Sequence, residues 1–243
     1  MDGILNVIKP VGISSFSFMR KVQRKLGIKK IGHLGTLDPN ACGVLVLLCG
    51  KATKLNQTLS GGTKVYRSVF TFGIETDTLD SAGAVISHTP SAASGCQRCR
   101  VSASAKLVNR PFILKGNPTR KQIEMLLPSL TGEIEIEIPK FSAVHINGKR
   151  AYDLARRGID FSPPKKVVKI HRFELLAQLA PEKFFVEIEC ETGTYVRSLA
   201  KLVAKRLGTV AIASSILRTR VGDFDIKHAK SLHNVEISDI MHA

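Results

Sequence analysis

A chain of 243 residues with 44% hydrophobic and 23% charged side chains is long enough to bury a sizeable core, and too balanced for wholesale disorder or a collagen-like repeat. Its 36 Lys and Arg against 20 Asp and Glu leave a formal charge of +16, a field that draws polyanions and argues against the handling of neutral small molecules as the whole task. The longest apolar run, Val44 to Cys49, and a mean hydropathy of +0.06 exclude a membrane-spanning helix.

The charge is concentrated. Residues 1–60 hold nine basic and two acidic side chains, and residues 87–123 hold seven basic and none acidic; RNA, DNA and an anionic membrane surface all fit that distribution. The opening MDGILNVIKP has an acid at position 2 and meets Lys9 and Pro10 before an apolar segment of signal-peptide length forms, so a cytoplasmic protein is expected. Within it ILNVIKP reads as a short strand ended by Pro10. A helix follows, with a serine-rich start at Ser14, Ser15 and Ser17, an apolar face of Phe18, Val22 and Leu26, a basic face of Arg20, Lys21, Arg24 and Lys25, and Gly27 as its stop. Beyond the loop KKIGHLGTLDPNACG, the run Val44–Cys49 reads as a buried strand. KVYRSVFTFG at 64–73 is rich in β-branched and aromatic residues and predicts another, leading into the turn ETDTLDSAG.

Residues 87–120 lack periodicity and read as a loop-like basic insertion within a single domain. Cys96 and Cys99 in this stretch form one CxxC pair without the second pair, or the histidines, of a structural zinc site; the five cysteines are odd in number and scattered, as reduced thiols are. Thr119 and Gln122 stand at capping-box spacing before a helix near Arg120–Leu127. EIEIEI at 133–138 alternates with period two, NGKRAYDLARRG at 147–158 reads as a turn and a short basic helix, and residues 184–191 alternate as a half-buried strand. ETGTY then leads into a helix with the stripe Val196, Leu199, Ala200, Val203 and Leu207, closed by Gly208. Strands interspersed irregularly with helices predict an α+β fold around a mixed, mostly antiparallel sheet flanked by helices.

Between Asp2 and Glu75 the chain has one carboxylate, Asp38, in a loop bracketed by Gly35, Pro39 and Gly43 and preceded by His33. A lone acid among cations is held in its ionised form, poor as a general acid and suited to nucleophilic or electrostatic work; a turn aspartate before proline is the structural alternative. In ETGTYVRS, a strand end, a glycine turn and a helix start place Tyr195 and Arg197 at a rim, where Arg197 suits either a carboxylate or a phosphate and Tyr195 either a pocket or packing. Tyr66, an aromatic within a strand, is equally open between core and site.

GHLGTLDPNACGVL at 32–45 with GKATK at 50–54 resembles the catalytic motif of the TruB-type pseudouridine synthases. Four further segments fall in that family's order: KVYRSVFTFGIETDTLDSAG, IPKFSAVHINGKRAYDLARRG, ETGTYVRSLA and ILRTRVGDF. The likeness extends from about Leu5 to about Leu232, leaving out the basic insertion.

The resemblance implies a pseudouridine-synthase fold with an RNA-binding cleft, and the isomerisation of a T-loop uridine of transfer RNA without external cofactor or metal. It implies Asp38 as the catalytic nucleophile, Tyr66 stacking on the base and serving in the deprotonation of C5, and Arg197 paired with the aspartate. Tyr195 would line the pocket, His33 would lie near the extruded nucleotide, and Ile216 would replace the usual pocket leucine, leaving Leu217 where arginine is common. The chain stops at Ala243, near where relatives begin a small C-terminal RNA-binding domain. That module is therefore expected to be absent, with the insertion at 87–123 helping to hold the transfer RNA. A monomer without an obligatory protein partner is expected, against two alternatives: a subunit of a guide-dependent synthase, and a non-catalytic RNA chaperone.

Overall fold

A computed structural model of the chain describes residues 2–59, 61–88, 116–146 and 148–241. In chain order these form β1 (Gly3–Lys9), α1 (Ser15–Leu26), β2 (Ile31–Leu34), β3 (Ala41–Cys49), α2 (Asn56–Leu59), β4 (Lys64–Phe72), β5 (Ile74–Thr76) and β6 (Val85–His88). There follow α3 (Arg120–Leu126), β7 (Gly132–Glu137), β8 (His145–Ile146), β9 (Lys149–Arg150), α4 (Ala151–Arg156), β10 (Lys165–Ala180), β11 (Lys183–Cys190), α5 (Val196–Arg206), β12 (Ala211–Val221) and β13 (Phe224–Asp225). Strands β1, β3, β12, β4, β11, β10 and β7 are hydrogen-bonded in that order, with β2 on β3 and β13 on β12. The β3–β12 pair is parallel, whereas β1–β3, β2–β3, β7–β10 and β12–β13 are antiparallel, so the α+β, mostly antiparallel architecture is as expected.

Two compact units divide the chain. The first comprises Met1–Arg67, Ile188–Thr194 and Ile216–Ala243. Its core lies between α1 and one face of the sheet: Phe18, Met19, Val22 and Leu26 pack with Leu5 and Val7 of β1, Leu45, Leu47 and Cys49 of β3, and Val235. Ser14 caps α1 by accepting a 3.1 Å hydrogen bond from the Ser17 amide, which lets the helix start at the serine cluster. The opposite face of β3, Val44, Val46 and Leu48, is covered by Leu34, Ala52 and Val221. Burial on both faces accounts for the unbroken apolar run that marked this strand.

The second unit comprises Ser68–Glu187 and Tyr195–Ser215. Edge-to-face aromatic pairs, Phe70 with Phe173 and Phe72 with Phe184, anchor its part of the sheet, with ring centroids 6.1 and 5.4 Å apart. The turn after β4 is organised by Asp80, whose carboxylate accepts from the Thr78 hydroxyl at 2.7 Å and the Ala82 amide at 2.9 Å. Thr119 and Gln122 form the reciprocal cap anticipated for α3. The segment 147–158 contributes β9 and α4, and residues 133–138 are β7 with one residue of offset.

Two strands depart from expectation. β10 runs for 16 residues, and its buried positions, Val168, Ile170 and Phe173, break period two between the second and third, which hides the strand from a pattern search. β12 carries serines and a buried arginine where a strand would be expected to show apolar residues. The basic insertion, with Cys96 and Cys99, lies largely outside the described residues.

Candidate active site

The loop joining β2 to β3 holds Asp38, and its backbone is tied down on both sides of that residue. The Ser15 hydroxyl, buried at the start of α1, accepts from the Leu37 amide at 2.8 Å and donates to the Leu37 carbonyl at 2.9 Å. The Pro39 carbonyl accepts from the Gly12 amide at 2.8 Å, and a tight turn closes from the Ala41 amide to the Asp38 carbonyl at 3.0 Å. Lys9, fully buried at the end of β1, donates from Nζ to Pro10 and Ile13 at 2.8 Å and to Pro39 at 3.4 Å. These bonds engage the backbone on both sides of Asp38, whose side chain is half-buried.

Burial lowers the Lys9 pKa from 10.5 to about 8. Below about pH 8 the amine is protonated in both folded and unfolded chains and the burial cost is fully present; between about 8 and 10.5 the folded chain holds fewer protons, so stability rises with pH. Urea unfolding at pH 8 and pH 10 should therefore show wild type gaining on Lys9→Met across that window. An advantage that shrinks with rising pH would contradict this assignment.

A second buried cation lies beneath the same loop. Arg218 of β12 is fully buried; its Nε donates to the Val44 carbonyl at 2.8 Å and its Nη2 to the Gly35 carbonyl at 3.0 Å. Gly35 turns through a left-handed φ of +63°, and a Cβ there would stand 2.9 Å from Lys64 Nζ and 3.4 Å from Arg218 Nη1, so the turn can approach both cations only as glycine. Lys64 itself is buried and donates to the Thr192 hydroxyl at 2.9 Å. Gly43 is more constrained still: a Cβ would lie 2.1 Å from the Arg218 carbonyl, and φ is +110°. Gly43→Ala should cost about 3 kcal/mol or more, by prising β12 from β3, measured by chemical unfolding. A loss below 1 kcal/mol would show that the two strands can separate at little cost (by about the scatter of ordinary surface substitutions).

Tyr66 of β4 is 7% exposed, and the charges of Arg218 and Asp38 both act on its hydroxyl. Burial pushes its pKa up; the Arg218 guanidinium opposes that by charge and hydrogen bonding, and the Asp38 carboxylate adds to the rise. The Asp38 charge also acts on Lys9. His33 of β2 is half-buried with a buried Nδ1 that has no partner among the described residues, and burial, then the Arg218 charge, lower its pKa, so it stands as a neutral imidazole at pH 7. Ile216 is buried two residues before Arg218, on the same face of β12. Asp38, Tyr66, His33 and Ile216 thus belong to one unit.

Tyr195 and Arg197 belong to the second unit, at the start of α5. Tyr195 is half-buried as the residue preceding the helix, and Arg197 is 2% exposed, donating from Nη1 to the Thr78 carbonyl at 2.8 Å and from Nη2 to the Phe141 carbonyl at 3.1 Å. Among the described residues, no group of three or more His, Cys, Asp or Glu side chains could hold a metal ion.

The TruB family pseudouridylate synthase N-terminal domain matches residues 23–111 and 103–196. The tRNA pseudouridine synthase B of Geobacillus kaustophilus is 40% identical over 243 residues, covering 97% of this chain and 76% of the relative. That of Geobacillus thermodenitrificans is 39% identical over 241 residues, covering 97% and 72%. The chain belongs to the TruB family of pseudouridylate synthases. Among solved structures, a chain of a Cbf5-Nop10-Gar1 complex aligns with a TM-score of 0.67 at 24% identity, over 96% of this chain and 53% of that one. That likeness is one of fold, and this chain spans about half the length of its counterpart.

Family membership agrees with the motif GHLGTLDPNACGVL, which lies within the matched residues. Arg218, Lys64 and Lys9 escape a reading of the sequence because buried cations look like three more members of a basic surface. The available signal was positional: Arg218 follows Ile216 with strand period, and Lys64 precedes Tyr66 with the same period.

Proposed function

We propose that this chain isomerises a uridine in the T-loop of transfer RNA to pseudouridine, with Asp38 as the nucleophile. The observation that carries this reading is the loop around Asp38, fixed at Gly35, Leu37 and Pro39 by Arg218, Ser15, Gly12 and Lys9, so that the carboxylate is aimed before substrate arrives. Attack by Asp38 accompanies cleavage of the bond from C1′ to N1 of uracil. The base turns in the pocket, C5 bonds to C1′ as the bond to Asp38 breaks and its carboxylate is returned, the C5 proton leaves, and N1 takes up a proton. The product has the composition of the substrate, with one proton lost from C5 to solvent and one gained at N1, so the reaction consumes no redox or group-transfer partner.

Tyr66 stacks on the base and receives the C5 proton, for which its hydroxyl must first ionise. Arg218 beside it favours that form against the cost of burial. Ile216 lines the pocket, and neutral His33 meets the extruded nucleotide. A loop uridine is already partly free of its stack, which lowers the cost of presenting C1′. The enzyme acts as a cytoplasmic monomer.

A bare T-stem-loop transcript carrying C5-tritiated uridine tests this reading. Tritium release with the chain alone, without guide RNA or protein partner, is the expected result. No release would refute it, and release only upon adding a guide RNA would place the chain in the guide-dependent branch.

A further inference from the structure

The first turn of α1 carries a side chain that the core does not use. Phe16 is 60% exposed, as is Val11 in the loop before the helix, while Phe18, Met19, Val22 and Leu26 face inward. A single exposed apolar side chain is unremarkable in a folded protein. Phe16, however, directly follows Ser15, whose hydroxyl grips Leu37, the neighbour of Asp38, and Val11 precedes Gly12, whose amide grips Pro39 on the other side. The two apolar side chains are thus rigidly linked to the Asp38 loop by backbone one residue removed from it.

Cations continue the same surface. The Arg20 guanidinium lies over the Phe16 ring, 5.8 Å from its centroid, and donates to Gln23 Oε1 at 2.6 Å. Phe16, Arg20 and Arg24 fall at i, i+4 and i+8, one solvent-facing stripe, beside a groove lined by Arg20, Gln23, Arg24, Gly27 and Ile28. The first turn of α1 contains no acidic residue.

We propose that Phe16, with Arg20 and Arg24, is a stacking and phosphate-binding surface that takes an unpaired nucleobase of the substrate RNA next to the Asp38 loop. An aromatic face flanked by guanidinium groups is the arrangement that binds single-stranded nucleic acid: the ring stacks on a base of any identity and the cations hold the phosphates on either side. The formal charge of +16 and the absence of acids from the first turn favour a polyanion over an acidic-patch-free apolar partner. This inference rests on the RNA reading of the site.

The test compares equilibrium binding of a T-arm RNA over a salt series. Phe16→Ala should weaken binding by about tenfold with an unchanged slope of log affinity against log salt, the signature of lost stacking. Arg20→Gln should instead flatten that slope by about one unit, the signature of a lost phosphate contact. Because the ring is exposed, Phe16→Ala should unfold at the wild-type temperature. The chain has no tryptophan, so Phe16→Trp installs a single reporter whose fluorescence should be quenched on adding the RNA. Unchanged affinity in Phe16→Ala, or unquenched fluorescence in Phe16→Trp, would overturn the proposal. So would a loss of self-association in Phe16→Ala, seen by sedimentation with RNA affinity intact, which would assign the surface to a second copy. Wild-type tritium release, scored separately, distinguishes these outcomes from a failure of the RNA-modification reading itself.

Discussion

Asp38→Asn is expected to abolish tritium release, by at least about ten-thousand-fold, while affinity for the T-arm RNA stays within about threefold of wild type. The amide has the shape of the carboxylate and none of its nucleophilicity. The loop should keep its place, because the bonds that hold it run from Ser15, Gly12, Lys9 and Arg218 to backbone atoms of Gly35, Leu37 and Pro39. RNA affinity rests on many phosphate contacts across a basic surface, and removing one negative charge does not weaken them. Retained activity in Asp38→Asn would end the nucleophile assignment. Joint loss of binding and activity would instead make Asp38 a structural turn residue.

Arg218→Met is expected to have the second largest effect, on stability and chemistry together. Removing the guanidinium leaves the buried carbonyls of Gly35 and Val44 without donors, at about 1–3 kcal/mol each, so unfolding should shift by about 2–6 kcal/mol. The phenol of Tyr66 would at the same time lose the cation that opposes its burial, and its pKa would rise further. Arg218→Lys separates the two contributions. It keeps a positive charge near Tyr66 but cannot reproduce the fork that reaches Val44 and Gly35 together, so it should recover part of the isomerisation rate and little of the stability. Single-turnover rates, taken at a temperature where every variant is folded, check this against urea unfolding. Equal recovery of rate and stability by lysine would reduce Arg218 to a purely structural role.

The elements that could be read from the sequence are those in which one side of the pattern is decisive. Phe18, Val22 and Leu26 mark the buried stripe of α1, the apolar run of β3 reflects burial on both faces, and EIEIEI marks the alternation of β7. β12 was hidden because its interior position at Arg218 is filled by an arginine, and β10 because its inward side chains change spacing after Ile170. Within the site, Asp38 stood out as the sole acid of a basic region. Lys9, Lys64 and Arg218 did not stand out, since 36 Lys and Arg are spread along the chain and composition cannot say which are buried. What makes them legible in three dimensions is glycine: Gly35 and Gly43 are required by the close approach of Lys64 and of the Arg218 backbone.

The most direct test of the central claim is a crystal structure of the Asp38→Asn chain bound to a T-arm RNA. The target uridine should be extruded from its stack, Tyr66 should lie against its base, and the side chain at position 38 should stand about 3–3.5 Å from the reacting carbon. A uridine still stacked in the loop, or bound at a distance from residues 33–43, would contradict it.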